Sequence, residues 1–357
     1  MAPTREAKVL TLEQTGKDQA WDRFVSANPM SSMFQASGWR HVLSESYGLD
    51  THFLYLEDNG GRVVATLPLA ATGNALIGYS LTSLPYLDYS GVTAADSANI
   101  RPLLEAAANI TRRQGCKRLE IRSPLRLKVP PGRDLLGSVS TGKIRPLKTI
   151  EQKPDALLQS LKAKVRSQIK RPQKAGLTAR SGAAELLDDF YRVFLENMRD
   201  LGSPVHGLGY FQAILRAFPD NARVFVVHLD GDPLAASILL FNQTLAENPW
   251  SSSLRRASKM SPNMLLYWAM LSFCAENSVA RFSFGRSSRD SGTYRFKQQW
   301  AVEDQPLYWY RPLGPAFEPE ENGERSRIAS AAITAWQRLP VSATRVIGPR
   351  VRRYISL

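Results

Sequence analysis

The sequence predicts an α+β protein of two similar lobes, each a mostly antiparallel sheet flanked by helices. Three observations predict it. The chain of 357 residues is long for one hydrophobic core and comfortable for two. Two distant segments repeat one design, strand, tight turn, strand: His52-Phe-Leu-Tyr-Leu-Glu-Asp-Asn-Gly-Gly-Arg-Val-Val-Ala-Thr-Leu-Pro-Leu and Arg223-Val-Phe-Val-Val-His-Leu-Asp-Gly-Asp-Pro-Leu-Ala-Ala-Ser-Ile-Leu-Leu. Each is followed by a helical stretch and a further strand, at 100–114 with Lys117-Arg-Leu-Glu-Ile-Arg, and at 263–277 with Arg281-Phe-Ser-Phe-Gly. A repeat this long indicates a duplicated fold, since solenoid units are shorter.

The hairpin reading rests on Asp, Asn and Gly standing between β-branched and aromatic runs, where a tight turn requires positive φ. The first lobe is expected over 1–150. A polar link, Lys148-Thr-Ile-Glu-Gln-Lys-Pro-Asp, leads into a second lobe over 151–315. Residues 316–357 form a basic tail with helical character. It is expected to pack on the second lobe, because Pro340, Gly348 and Pro349 interrupt a long amphipathic helix.

Composition excludes several classes. Hydrophobic residues at 43% and charged residues at 22% are those of a globular chain, which argues against disorder. The two cysteines, Cys116 and Cys274, are far apart and form no CxxC or Cys/His cluster. Neither a disulfide framework nor a structural zinc site is expected, and a reducing compartment fits. The first residues carry charges where a signal peptide needs an apolar run. The longest uncharged stretch, 63–87, contains Pro68, Gly73, Gly78 and Pro85 and reads as strands and turns. The expected location is the cytoplasm, with peripheral contact to the inner membrane through the tail as an open alternative. A net charge of +14, concentrated in 162–180 and the tail, attracts phosphates on nucleotides, RNA or lipid heads.

No GxSxG, HExxH, Walker A or GxGxxG motif is present, so no metal or tightly bound cofactor is expected. Four stretches remain as chemistry. Ser261-Pro262 suits a helix entry whose free N–H groups meet an anion. Lys162, Arg166 and Lys170 share one helical stripe, with Arg171 beside it, fitted to a phosphate-rich ligand or to plain solvation. In Leu84-Pro-Tyr-Leu-Asp-Tyr-Ser-Gly, Asp88 stands between tyrosines in a turn, placed to orient or deprotonate an acceptor or to anchor the turn. In 282–300, Gly285 ends a strand, Gly292 permits a turn, and Tyr294, Phe296 and Lys297 follow. A lysine beside such a loop suits the charge of a tetrahedral acyl-transfer intermediate.

These residues carry a family resemblance. Lys164-Val-Arg-Ser-Gln-Ile-Lys-Arg-Pro, Asn197-Met-Arg-Asp-Leu-Gly-Ser-Pro-Val, Pro249-Trp-Ser-Ser-Ser-Leu-Arg, Ser261-Pro-Asn-Met-Leu-Leu-Tyr-Trp, Phe282-Ser-Phe-Gly-Arg-Ser-Ser and Gly292-Thr-Tyr-Arg-Phe-Lys-Gln-Gln-Trp occur in order along the second half. With Pro85-Tyr-Leu-Asp-Tyr-Ser-Gly in the first half, the chain resembles the FemAB-like transferases of the GNAT superfamily, especially those associated with exosortase/PEP-CTERM and exopolysaccharide clusters. The resemblance implies two GNAT-like lobes, the second of the BioF2/CelD-like acyltransferase type. It implies acyl or aminoacyl transfer to an amine or hydroxyl of an exopolysaccharide or cell-envelope precursor.

It also implies site roles: Lys297 and Asp88 catalytic, with Phe296, Tyr294, Tyr86, Arg166, Lys170, Arg171 and Arg286 binding substrate. The implied co-substrate is acyl-CoA or aminoacyl-tRNA, and the implied partners are a nucleotide- or lipid-linked saccharide precursor and tRNA as donor. Two departures leave the donor open: the chain has no inserted coiled-coil arm of the tRNA-using relatives, and no glycine-rich pyrophosphate loop follows the strand ending near Leu254. The competing readings are a basic nucleic-acid-binding protein without activity and a membrane-peripheral scaffold of a polysaccharide-assembly system.

Overall fold

Two duplicated hairpins frame the computed structural model, which describes residues 8–10, 15–29, 31–129, 136–311 and 327–356. The polar stretch after Pro312 lies outside the described residues as far as 326. The chain forms two compact units: Met1–Ile144 with Gln305–Glu321 and Arg353–Leu357, and Arg145–Asp304 with Asn322–Arg352.

The first unit opens with β1 (Lys8–Leu10), α1 (Thr15–Ala27) and α2 (Trp39–Tyr47). The first hairpin is β2 (Thr51–Glu57) and β3 (Val63–Asn74), antiparallel with His52 opposite Leu69. Asp58 closes its turn: Oδ1 accepts from the amides of Gly60 and Arg62 at 2.9 and 3.0 Å, and Gly61 supplies φ +74°. Then come β4 (Gly78–Thr82), β5 (Thr93–Ala94), the crossover helix α3 (Ile100–Arg113), β6 (Arg118–Ser123) and β7 (Ser138–Ser140). Helix α3 buries Leu103, Leu104 and Ala107 against Leu54, Leu67, Leu119 and Ile121 of the sheet.

Strand β8 (Lys143–Thr149) leads into α4 (Pro154–Ser160), α5 (Ala163–Lys174), β9 (Thr178–Gly182), α6 (Leu187–Leu201) and α7 (Leu208–Ala217). The second hairpin is β10 (Ala222–Leu229) and β11 (Asp232–Phe241), with Leu229 opposite Asp232. Its two-residue turn, Asp230-Gly231, has both φ values positive, +52° and +83°, which matches the right-handed twist of the strands. Next are β12 (Leu245–Ser253), α8 (Pro262–Glu276), β13 (Arg281–Ser283), β14 (Ser287–Ser288), α9 (Gly292–Gln298) and β15 (Glu303–Pro306). Strand β16 (Tyr308–Arg311) returns to the first sheet, and α10 (Arg327–Gln337) and α11 (Val341–Arg352) end the chain.

The sheet orders reveal the duplication: β1-β2-β3-β4-β6-β16-β7 in one, and β9-β10-β11-β12-β13-β8-β14 in the other. In both, a hairpin and a third antiparallel strand precede a helix, and the strand after that helix joins in parallel. The architecture is α+β, two antiparallel-dominated sheets flanked by helices. Helix α8 is apolar nearly all round and is buried accordingly, with Met264, Leu266, Met270, Leu271 and Cys274 in the second core.

Three local expectations change. Ser261 does not cap α8; it sits at φ +56° and its side chain makes no cap bond, so the helix begins on Pro262 with φ preset by its ring. Gly292 opens a short helix, α9, where a turn was expected, because Ser291 Oγ accepts from the Tyr294 amide at 3.1 Å. Helix α11 runs through Gly348 and Pro349, since packing on the second unit outweighs one lost backbone bond. There a Cβ on Gly348 would come within 2.7 Å of the Val205 side chain, and Arg352 Nε donates to His206 Nε2 at 3.2 Å.

Candidate active site

The second unit contains a fork in its sheet. Strands β12 and β13 pair in parallel from Leu245–Arg281 to Glu247–Ser283, and there the pairing stops. Strand β13 ends, while β12 continues to Ser253 against β11 alone. The cause lies in β12. Trp250 pairs with Ile238 and Glu247 with Leu240, so Asn248 and Pro249 together oppose one residue, a β-bulge. Pro249 has no N–H to give a ladder, and the bulge turns the strand away.

Side chains finish the fork. At its apex Glu247 pairs with Arg145 at 3.0 Å, both side chains buried. Tyr267 of α8 places its hydroxyl by Ser251 and Asn248; burial raises its pKa, and those hydrogen bonds oppose the rise. Asn248 Oδ1 is fixed by the Ser237 hydroxyl at 2.6 Å. The Tyr267 ring stacks on Phe284, centroids 5.3 Å apart and 8° from parallel, and Phe296 meets it edge-on at 5.1 Å.

Lys297 stands beside the end of β13. It is 7% exposed, and its ammonium donates to the carbonyls of Gly285 at 2.9 Å and Arg286 at 3.0 Å. Gly285 turns those carbonyls toward it with φ +68°. Helix α9 is held in place at both ends. Ser291 caps it, and Asp304 accepts from the Tyr294 hydroxyl and the Gln298 amide, each at 2.7 Å. The bond to Asp304 raises the Tyr294 pKa. Ser287 Oγ and Trp300 Nε1 nearby are buried with no hydrogen-bond partner. A fork with hydroxyl and amide groups on one side and a fixed cation on the other suits a polar, reacting carbonyl.

The expected site residues fall into three groups. Lys297, Phe296, Tyr294 and Arg286 lie together on α9 and the end of β13. Arg166, Lys170 and Arg171 lie on α5, where with Ser167, Gln168 and Lys174 they line an open hollow of about 560 Å³. The Arg166 guanidinium also donates to the carbonyls of Gln159 and Leu161, which holds it at the helix start. Tyr86 and Asp88 lie on a loop of the first unit. Asp88 is half-buried there, and Tyr86 gives its amide to the Ser356 carbonyl at 2.9 Å and its hydroxyl to the Arg353 carbonyl at 3.0 Å.

Arg145, Glu247, Asn248, Ser251 and Tyr267 were not foreseen. Two signals pointed to them: a proline inside a strand pattern, which marks a bulge, and a tyrosine inside an apolar helix, whose hydroxyl demands a partner. Among the described residues no group of three or more His, Cys, Asp or Glu is arranged to hold a metal. Among them, too, no helix is long and apolar enough to cross a membrane.

Residues 159–298 match the family described as acetyltransferase (GNAT) domain, a span that contains the fork and Lys297. That span is similar to an acyltransferase domain of the GNAT type. No curated protein matches. Among solved structures the chain is similar to FemX, with a TM-score of 0.65 and 14% identity over 86% of this chain and 97% of that one. It is also similar to a tandem GNAT protein from the clavulanic acid biosynthesis pathway, at 0.57 and 14% over 87% and 99%. A third is the C-terminal domain of a putative lysylphosphatidylglycerol synthetase from Agrobacterium fabrum, at 0.55 and 14% over 90% and 95%. At such identities the likeness concerns the fold, which is FemAB-like.

Proposed function

We propose that this protein transfers an acyl or aminoacyl group to an amine or hydroxyl of an exopolysaccharide or cell-envelope precursor. The observation that carries the proposal is the fork of β12 and β13 beside the buried Lys297 ammonium. The acceptor lone pair attacks the donor carbonyl, and the negative charge that develops on its oxygen is offset by Lys297. The carbonyl then re-forms as the bond to the leaving group breaks, and the thiolate of CoA or the ribose oxygen of tRNA departs with the bonding pair and takes up the acceptor's proton. Tyr267, Ser251 and Asn248 supply polar groups along the open side of β12, and Phe296 holds the Tyr267 ring.

Asp88 retains the role of orienting or deprotonating the acceptor, with Tyr86 beside it. Arg166, Lys170 and Arg171 are the proposed phosphate contacts, for a nucleotide- or lipid-linked saccharide precursor or for the donor. Likeness to FemX and to the lysylphosphatidylglycerol synthetase domain favours aminoacyl-tRNA as donor, and the matched acetyltransferase family favours acyl-CoA. The association with exosortase/PEP-CTERM systems rests on the ordered motifs of the sequence. The proposed location is the cytoplasm, at the periphery of the inner membrane.

The test is purified protein with labelled acyl-CoA or aminoacyl-tRNA and candidate acceptors. The expected result is label in the acceptor for the wild type and its loss for Lys297→Ala. Transfer by Lys297→Ala at the wild-type rate would remove the lysine from the chemistry. Salt-sensitive nucleic-acid binding without turnover of either donor would replace the proposal with a binding role.

A further inference from the structure

The structure assigns a membrane-docking fingertip to the first unit: the tip of the β3–β4 hairpin and the basic turn beside it engage an anionic bilayer surface. The inference is independent of the transfer chemistry and uses none of its residues.

At the tip Leu76 is 93% exposed, Ile77 58% and Tyr79 42%. The turn holds them outward. Asn74 Oδ1 accepts from the amides of Leu76 and Ile77 at 2.9 and 3.0 Å, a local turn closed by its own side chain. Gly73 and Gly78 flank it with φ +123° and +81°, and a Cβ on Gly73 would strike the Gly78 carbonyl at 2.1 Å. This tight, specified hairpin offers aliphatic side chains to the surroundings where a polar tip would cost less.

Cations surround it. The end of α3, the turn after it and the start of β6 expose Arg112, Arg113, Lys117 and Arg118, and the Lys117 amide donates to the Tyr79 carbonyl at 2.8 Å, which ties that turn to the hairpin. Ile77, Tyr79, Lys117, Arg118 and Tyr354 line one hollow of about 300 Å³, and no acidic residue is among its described lining residues. Exposed Arg353, Tyr354 and Ile355 extend the same combination.

Charge and shape together select the occupant. Bulky aliphatic groups at the apex of a convex finger fit a soft apolar medium, with tyrosines and cations at the depth of the headgroups. A nucleic acid would be met by the cations but gives Leu76 and Ile77 no contact. A folded protein partner would need a matching groove.

The test uses sedimentation with vesicles of phosphatidylcholine alone, or of phosphatidylcholine with phosphatidylglycerol. The full chain is expected to bind the anionic vesicles, and the double variant Leu76→Ser, Ile77→Ser to bind about tenfold less tightly or worse. Lys117→Glu with Arg118→Glu is expected to remove the preference for phosphatidylglycerol. Unchanged circular dichroism melts establish that these exposed substitutions leave the fold intact. Because Cys116 and Cys274 are buried, an environment-sensitive dye can be attached at Leu76→Cys, and its emission is expected to shift to the blue on anionic vesicles.

Absence of vesicle binding, binding unaffected by the double serine variant, or dye emission that does not move would each overturn the inference. So would a wild-type dimer that the serine variant dissolves, since the finger would then be a contact between copies.

Discussion

In the first unit β4 and β6 pair in parallel from Ser80–Arg118 to Thr82–Glu120, and in the second β12 and β13 do so from Leu245–Arg281 to Glu247–Ser283. The two forks then diverge. In the first, the chain folds back at once: the Ser83 amide donates to the Glu120 carbonyl, and the amides of Ser90 and Gly91 both reach the Arg122 carbonyl. Gly91 is required there, since a Cβ would stand 2.7 Å from that carbonyl oxygen. The buried Arg122 guanidinium pairs with Glu120, donates to the carbonyls of Leu87 and Ser356, and lies against the Trp309 ring at 4.8 Å. The chain's own C-terminal residues thus complete the first fork.

In the second, β12 runs on past the fork. Its own Asn248 and Ser251 meet the Tyr267 hydroxyl, and Lys297 is fixed beside the end of β13. One duplicated frame has therefore been stabilised by peptide in one copy and lined with polar side chains beside a buried lysine in the other.

The largest expected effect contrasts the two arginine-paired glutamates, Glu247 buried and Glu120 half-buried. Burial pushes the Glu120 carboxyl up, but Arg122 and Arg311 beside it together hold it below the usual range, so Glu120 has a second arginine in reserve. Arg145→Ala is expected to destabilise the second unit by about 3–5 kcal/mol, because the buried Glu247 charge loses its ion pair. Arg122→Ala, which leaves Glu120 with Arg311, is expected to cost less by urea unfolding. Equal losses would mean that the Leu87 and Ser356 carbonyls and the Trp309 ring, which Arg122 also serves, outweigh the support Arg311 gives Glu120.

Next is Lys297→Ala, expected to slow transfer by about 10²–10³-fold, the size seen when one donor to a developing oxyanion is removed. Unchanged donor binding in the same variant would assign that loss to the chemical step. Removing Arg353–Leu357 takes from Tyr86 and Arg122 the carbonyls they bind, and is expected to lower stability by about 1–3 kcal/mol. Donor binding is expected to stay intact, and its loss would deny that the two forks have separate roles.

The smallest effect is a pH dependence in the second unit. Burial, and then the Arg352 guanidinium, hold the His206 imidazole well below its ordinary 6.5. Below that value the unfolded chain binds a proton that the folded chain refuses, so stability falls as pH drops below 6.5 toward the folded-state pKa. His206→Gln, which keeps an acceptor for Arg352, is expected to flatten this part of the melting-temperature profile. An unchanged slope would place the acid sensitivity elsewhere.

How much of this was legible in the sequence depends on how local the cause is. Asp230-Gly231 and Asp58 with Gly61 announce their hairpins, because the turn is decided by the φ of one or two residues. The apolar run of α8 announces a buried helix. The fork is different: it exists only because two strands separated by a helix pair in parallel for a few residues and part at a bulge, and Pro249 was its single trace. In sequence, Lys297 is a residue beside a glycine-containing turn. Its burial on a capped helix depends on contacts with Gly285 and Arg286 that no spacing rule encodes. The hold of Ser356 and Arg353 on Tyr86 joins residues too distant in sequence for any local pattern to register.

The central claim, that the second fork receives the donor and the first does not, is tested most directly by hydrogen–deuterium exchange. The full chain would be measured with saturating acyl-CoA and, separately, with an aminoacyl-adenosine mimic of the tRNA terminus. The account predicts that one of these slows exchange at 247–254 and 283–299 while 83–91 and 118–123 keep their rates. Protection confined to 83–91 and 118–123, or no protection by either ligand, would contradict it.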